Sequence, residues 1–207
     1  MIAETELAIT AALKAASDAG QLAYPWRTLE SYPEDFDSYL KERKVPLRVP
    51  AAWAVFLGLA QGVDNQDDDA GWTARGRFAL VVAAQNLRGE TETRHGGPDL
   101  AIEPGSYQLA EDAVRVLSQS DLGFLARPID ITGMRLVARS AEIRKQGLSL
   151  MALELECTMA LARLPDEGNP GDFEQLHVDW DVPEHGNAQP PLPAAENDAE
   201  DLMELPQ

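Results

Sequence analysis

Apolar positions recur along the chain with two different periods, and the switches between them divide it into elements. From Ala3 to Asp18 the spacing is helical, with Ile2, Ile9, Leu13 and Ala16 on one side and Gly20 placed where such a helix stops. Arg27 to Ser31 reads as a short strand, Tyr32-Pro33 as a turn, and Glu34 to Lys44 as a second helix. That helix has acids at its start and Lys41, Arg43 and Lys44 at its end, the order its dipole favours. Pro46 and Pro50 then break the chain.

Strand-like runs follow at Ala51–Leu59, Ala74–Ala84, Met134–Ile143 and Gly147–Ala162. In Met134–Ile143, Arg135 and Arg139 fall opposite Leu136 and Ala138, and Arg144-Lys145-Gln146-Gly147 suggests a hairpin-like link to the next strand, hence antiparallel pairing. In the last run Leu148 and Leu150 are on even positions whereas Leu153, Leu155, Cys157, Met159 and Leu161 are on odd ones. That change of phase predicts a bulge or bend near Met151. Ser106–Ser120 is a helix, with Tyr107, Ala110, Val114 and Leu117 at helical spacing and Gly123 just past its end. Ala60–Thr73 and Arg88–Gly105 are long loops, which in a compact domain are usually functional or mobile. The fold class these elements make is α+β, a mostly antiparallel sheet flanked by two or three helices.

Beyond Leu164 the pattern dissolves. Residues 164–207 hold seven of the 14 prolines, 12 of the 35 acids and no Lys or Arg, the composition of an extended segment that buries too little to fold alone. The expected organisation is therefore a domain over 1–163 and an acidic, Pro-rich extension over 164–207. Residues 1–163 carry 17 basic and 23 acidic side chains, a net charge of −6, against −12 for the extension. A surface of this sign disfavours nucleic-acid reading, which gathers Lys and Arg to displace counterions. No run approaches the roughly 20 apolar residues of a membrane span, and the start of the chain, with Glu4 and Glu6, lacks the features of a signal peptide. The expectation is a protein that stays in the cytoplasm where it is made and has no membrane partner.

Signs of catalytic chemistry are weak. Asp64-Asn65-Gln66-Asp67-Asp68-Asp69-Ala70-Gly71 has the oxygen ligands of a calcium loop, but its sixth position is Asp69 rather than Gly and no Glu stands at the twelfth, so a solvated acidic loop is the better reading. His95, His177 and His185 lack ligand-like spacing. Ser106, Ser140 and Ser149 lie in no nucleophile-elbow sequence, and no Gly-rich phosphate loop is present. The lone Cys157 fits a buried small hydrophobe, since burial raises a thiol pKa and no histidine stands near it in sequence. The expectation is a protein that is not an enzyme and uses no cofactor or metal. Arg75 and Arg77 project from one strand face, Arg88 and Arg94 lie in the loop beyond, and Trp72 precedes them. They are either ordinary solvated side chains or contacts to acidic surface on a neighbouring copy. The acidic extension is likewise either a solubilising appendage or a clamp that folds onto a partner.

Five segments in order across roughly residues 1–163 resemble a family of morphogenesis proteins of Mu-like phages and prophages, members of which are regarded as tail terminators. They are the opening Met1-Ile2 helix with Glu6; Leu29-Glu30-Ser31-Tyr32; Leu80-Val81-Val82-Ala83-Ala84-Gln85-Asn86-Leu87-Arg88-Gly89; Gly105-Ser106-Tyr107-Gln108-Leu109-Ala110-Glu111-Asp112; and Gly147-Leu148-Ser149-Leu150-Met151-Ala152-Leu153-Glu154-Leu155-Glu156. The resemblance implies a homo-hexameric ring that caps the tail tube, with tube protein below, the head-tail connector or neck protein above, and genomic DNA passing through the lumen without specific binding. It also implies a place in the virion, in the tail or neck. A neck or head-tail adaptor protein is the nearest alternative, and a small cytoplasmic hydrolase or ligand-binding domain is one from a different class.

Overall fold

A strand that is apolar on both faces needs cover on both sides, and the two longest strands of this chain are of that kind over half their length. The computed structural model describes residues 1–60, 64–65, 72–86, 88–161, 175–180 and 199–204. The chain divides into two units, Met1–Arg163 and Leu164–Gln207. The first runs α1 (Ile2–Asp18), β1 (Thr28–Ser31), α2 (Phe36–Glu42), β2 (Ala51–Leu59), β3 (Asp64–Asn65), β4 (Trp72–Gln85), α3 (Glu90–His95), α4 (Ser106–Leu117), β5 (Asp130–Leu136), α5 (Ala141–Lys145) and β6 (Leu148–Leu161). Its sheet has the order β1-β2-β4-β6-β5, with the short β3 paired to the start of β4. β1 runs parallel to β2 and every other pair in this sheet is antiparallel. In the second unit β7 (Gln175–Trp180) pairs antiparallel with β8 (Ala199–Glu204), where composition alone suggested no paired strands.

One face of the main sheet is covered by the two long helices. Ile9 and Leu13 of α1 and Leu109, Ala110, Ala113 and Leu117 of α4 pack on Ala52 and Ala54 of β2, on Phe78, Leu80 and Val82 of β4, and on Leu153, Leu155, Cys157 and Met159 of β6. Among the described residues, the opposite face is covered at one end only. There Phe36 and Leu40 of α2, Leu47 and Ile143 of α5 close over Ala51, Trp53, Val81, Ala83, Leu148, Leu150 and Ala152.

This two-sided cover overturns the expected bulge near Met151. β4 and β6 pair without a register shift from Trp72↔Leu161 to Gln85↔Leu148. Even positions 148, 150 and 152 face the α2/α5 side and odd positions 151 to 159 face the α1/α4 side, so the change of phase marks where the second cover ends, not a break in the strand. A real register shift occurs elsewhere, in β2 between Phe56 and Gly58.

The strand expected at Met134–Ile143 is also corrected. It begins earlier, at Asp130, and stops at Leu136. Ser140 then caps α5 by accepting from the Ile143 N–H at 3.2 Å, with Glu142 in the first turn, a helix-start pattern that outcompetes the alternation. Arg144 and Lys145 belong to this helical turn and Gly147, at φ +63°, ends it. β5 does pair antiparallel with β6, but through a helical connection and not a hairpin. Leu136 and Ala138 are exposed rather than turned to the core.

The α+β class and mostly antiparallel sheet are as expected; the described residues hold five helices, of which α2, α3 and α5 are seven residues or fewer and too short to show a period. α3 lies within the loop expected at Arg88–Gly105. Of Ala60–Thr73, most lies outside the described residues; Asp64–Asn65 forms β3, and β4 begins at Trp72. Ile2 and Tyr107, placed by spacing on apolar helix sides, are exposed, and Thr5 and Leu109 are buried in their stead.

Candidate assembly surfaces

The residues that tie the elements together must be separated from those left free to meet a partner. The buried polar groups belong to the first kind. Asp112 of α4 accepts from the Tyr24 hydroxyl at 3.0 Å, from Gln108 Nε2 at 2.9 Å and from Arg115 at 2.8 Å. Burial first, and the Asp112 charge second, hold the Tyr24 phenol well above its ordinary range. Ser106 and Ser149 share a buried hydrogen bond of 2.9 Å that joins α4 to β6. Glu30 accepts from the Tyr39 hydroxyl at 2.8 Å, and Arg43 lies over the Tyr39 ring. These contacts give structural reasons for Glu30, Ser106, Asp112 and Ser149, all within the segments that carried the resemblance. Cys157 is buried and desolvation pushes its thiol up to about 12, which fits a core residue and not a nucleophile.

The five positions expected at a subunit interface fall in three places. Arg75 and Arg77 point to the sheet face that α2 and α5 cover at its other end, and here no described residue covers that face. Arg75 sits 3.9 Å from Glu156 of β6, and Arg77 is exposed with no ion pair among the described residues. Trp72 lies on the other face, opposite Leu161 of β6, and is 44% exposed. Arg88 and Arg94 lie beyond the far end of β4, about 26 Å from Arg77 at a strand rise near 3.3 Å per residue. Both have partners within the chain: Arg88 reaches Glu103 at 3.0 Å and Arg94 reaches Glu90 at 3.4 Å. Glu103 also accepts from Asn86 at 3.1 Å, so Arg88 fastens the turn between β4 and α3.

Sequence reasoning missed a free apolar edge. β5 is the last strand of the sheet, and Met134 and Leu136 on it are 51% and 46% exposed. With Tyr107 of α4 and Met151 of β6 they line a shallow groove of about 360 Å³. An open edge strand carrying large apolar side chains is a ready template for pairing. Its signal in the sequence was hidden, because Met134 and Leu136 alternate like core residues and nothing local says that no element covers them. Leu57 and Leu59 of β2 are exposed as well, in the same strand as the Phe56/Gly58 shift.

Among the described residues no group of three or more His, Cys, Asp or Glu is placed to hold a metal ion, and no helix is long and apolar enough to cross a membrane. His95 ends α3 with its ring 5.4 Å from that of Tyr107. His177 lies in β7, and His185 and residues 66–71 of the acidic run lie outside the described residues. Residues 1–160 match the model of a family described as Bacteriophage Mu, Gp37. No curated protein matches the chain.

Proposed function

Because the chain belongs to the family described as Bacteriophage Mu, Gp37, which makes it a Mu-like phage protein of structural, tail-related type, we propose that it is the tail terminator. In this reading six copies close into a ring on the last ring of tube subunits, stop tube growth and offer a docking face to the head and neck, while DNA passes through the lumen. The single observation that carries it is the span of the family match. Residues 1–160 cover nearly all of the unit Met1–Arg163, so the family model matches the whole sheet-and-helix body and not a fragment of it.

The geometry supports a role worked by contact. A head-to-tail ring needs two different surfaces on each protomer. The body offers the apolar β5 edge with Met134 and Leu136 on one side, and the open sheet face with Arg75 and Arg77 next to exposed strand ends on another. Both are built on strands held by the core, which suits a rigid cap. The protein would require no catalytic group or cofactor, and its place would be the virion, at the junction of tail and neck, after assembly in the host cytoplasm.

The test is removal of the protein from phage assembly, with electron microscopy of the products. Tails of uncontrolled length, together with heads that carry no tail, are the expected result. Tails of normal length lying free beside full heads would instead identify a neck or head-tail adaptor, and normal joined particles would sink both readings.

A further inference from the structure

The chain carries a formal charge of −18, yet among the described residues one concavity of its first unit is lined mostly by cations. This cleft, about 690 Å³ in volume, lies where the end of α2, the turn after β4, α3 and α5 converge. Arg43, Lys44, Arg139, Arg144 and Lys145 line it, against the single acid Glu90. Five of the chain's 17 basic side chains thus gather at one site. Internal ion pairs leave a surplus. Glu90 holds Arg139 at 3.2 Å, Glu142 reaches Lys145 at 3.7 Å and Glu30 reaches Arg43 at 3.9 Å, so three carboxylates answer five cations.

We infer that this cleft docks the acidic C-terminal stretch, residues 164–207, of a neighbouring copy. The inference rests on the reading that copies of this chain assemble with one another. Charge complementarity carries it, since that stretch has 12 acids and no Lys or Arg. Its carboxylates are distributed along the sequence among prolines and small residues, so negative charge is available to several cations of the cleft at once. Nucleic acid fits less well. A duplex presents one charge per about 1.7 Å of axis and runs on past any cleft, whereas the rest of this unit is acidic and would repel it beyond these five cations. Each neighbour contact of this kind would also bring excess negative charge onto the chain's main basic site, which favours closure of an assembly whose protomers otherwise repel.

Zero-length carbodiimide coupling of the full-length assembly tests this, because it joins a lysine amine only to a carboxylate in direct contact. The expected product is a covalent dimer in which Lys44 or Lys145 of one chain is joined to an acid between Asp166 and Glu204 of another, as mapped by mass spectrometry. A Lys44→Glu/Arg144→Glu variant that melts like the parent should lose the Lys145 junctions. Native mass measured on the same samples separates the two readings. A hexamer whose dimer junctions lie elsewhere, or in which these lysines couple only within one chain, overturns the inference and leaves the ring standing. A chain that stays monomeric and yields no covalent dimer overturns both. Binding of a single-stranded DNA oligonucleotide that the charge-reversed variant abolishes would assign the cleft to nucleic acid and likewise overturn the inference.

Discussion

At the scale of single residues, the deepest side chains of β6 show how little freedom the core has. Leu153 and Leu155 are inaccessible between β4 and the α1/α4 layer. Leu153→Asp or Leu155→Asp would place an unpaired carboxylate there, at a cost of several kcal/mol against a total stability of about 5 to 15 kcal/mol. The expected outcome is insoluble or unfolded protein, and a soluble variant with the parental melting temperature would show that these positions are not buried. Tyr24 is subtler. Its folded pKa lies above the ordinary value of 10.0, so between the two values the unfolded chain loses a proton that the native state keeps. Stability from this group is fully present below pH 10 and falls as the pH rises above it. Tyr24→Phe should cost about 1 to 3 kcal/mol at pH 7 by leaving Asp112 one donor short, and should flatten the loss of melting temperature between pH 9 and 11. An unchanged alkaline slope would mean that the phenol does not keep its proton. Cys157, pushed up to about 12, should resist alkylation at pH 8 until the protein is unfolded.

At the scale of elements, close backbone approach sets the limits. Gly105 stands at the start of α4, and a Cβ there would come within 2.5 Å of three backbone atoms, in Arg94, His95 and Gly96. The end of α3 is therefore pressed against the start of α4, with no flexible side chain able to give way. Gly105→Ala should destabilise the protein by 2 kcal/mol or more, by analogy with other overpacked sites of about 1 to 3 kcal/mol, and chemical denaturation would measure it; a change under about 0.5 kcal/mol would show that α3 is free to move. This contact also explains what the sequence could and could not reveal. α1 and α4 were legible because each has a long run of one period facing one cover, and β2 because it is a continuous apolar run bounded by Pro50. The α2/α5 layer was not, since Phe36, Leu40 and Ile143 come from segments of seven residues or fewer, brought together only by the fold. The phase change in β6 was visible as a pattern, but its cause lay in that second layer. For the candidate surfaces, exposed arginines could be named from sequence, but not all of their partners: Glu90 and Arg94 are a local i,i+4 pair that appears only once α3 is known to be a helix, whereas Glu103 and Glu156 meet Arg88 and Arg75 only through the folded chain.

At the scale of the whole molecule, the distribution of charge decides which arginines remain for assembly. Arg88 and Arg94 are engaged within the chain, and Arg75 shares the open face with Glu156. Arg77 is the exposed member with no ion pair among the described residues, two positions along the same strand face. A tail channel must let DNA slide without sticking, and lysine or arginine facing the bore would bind phosphates by counterion release. In the proposed ring, the open face is therefore expected to meet a neighbouring subunit, with the bore lined by acidic or neutral surface. Arg77→Glu isolates this role, since an exposed side chain away from the core rarely changes stability by more than about 0.5 kcal/mol. The variant should melt like the parent yet fail to form rings at concentrations where the parent does, with the deficit growing as salt is lowered, because the new carboxylate then faces acid across the contact without screening. Native mass spectrometry over a salt series measures this. Rings that form as readily as before would place Arg77 outside the interface, and tubes capped by the variant that slow or block DNA release would place the open face against the lumen instead.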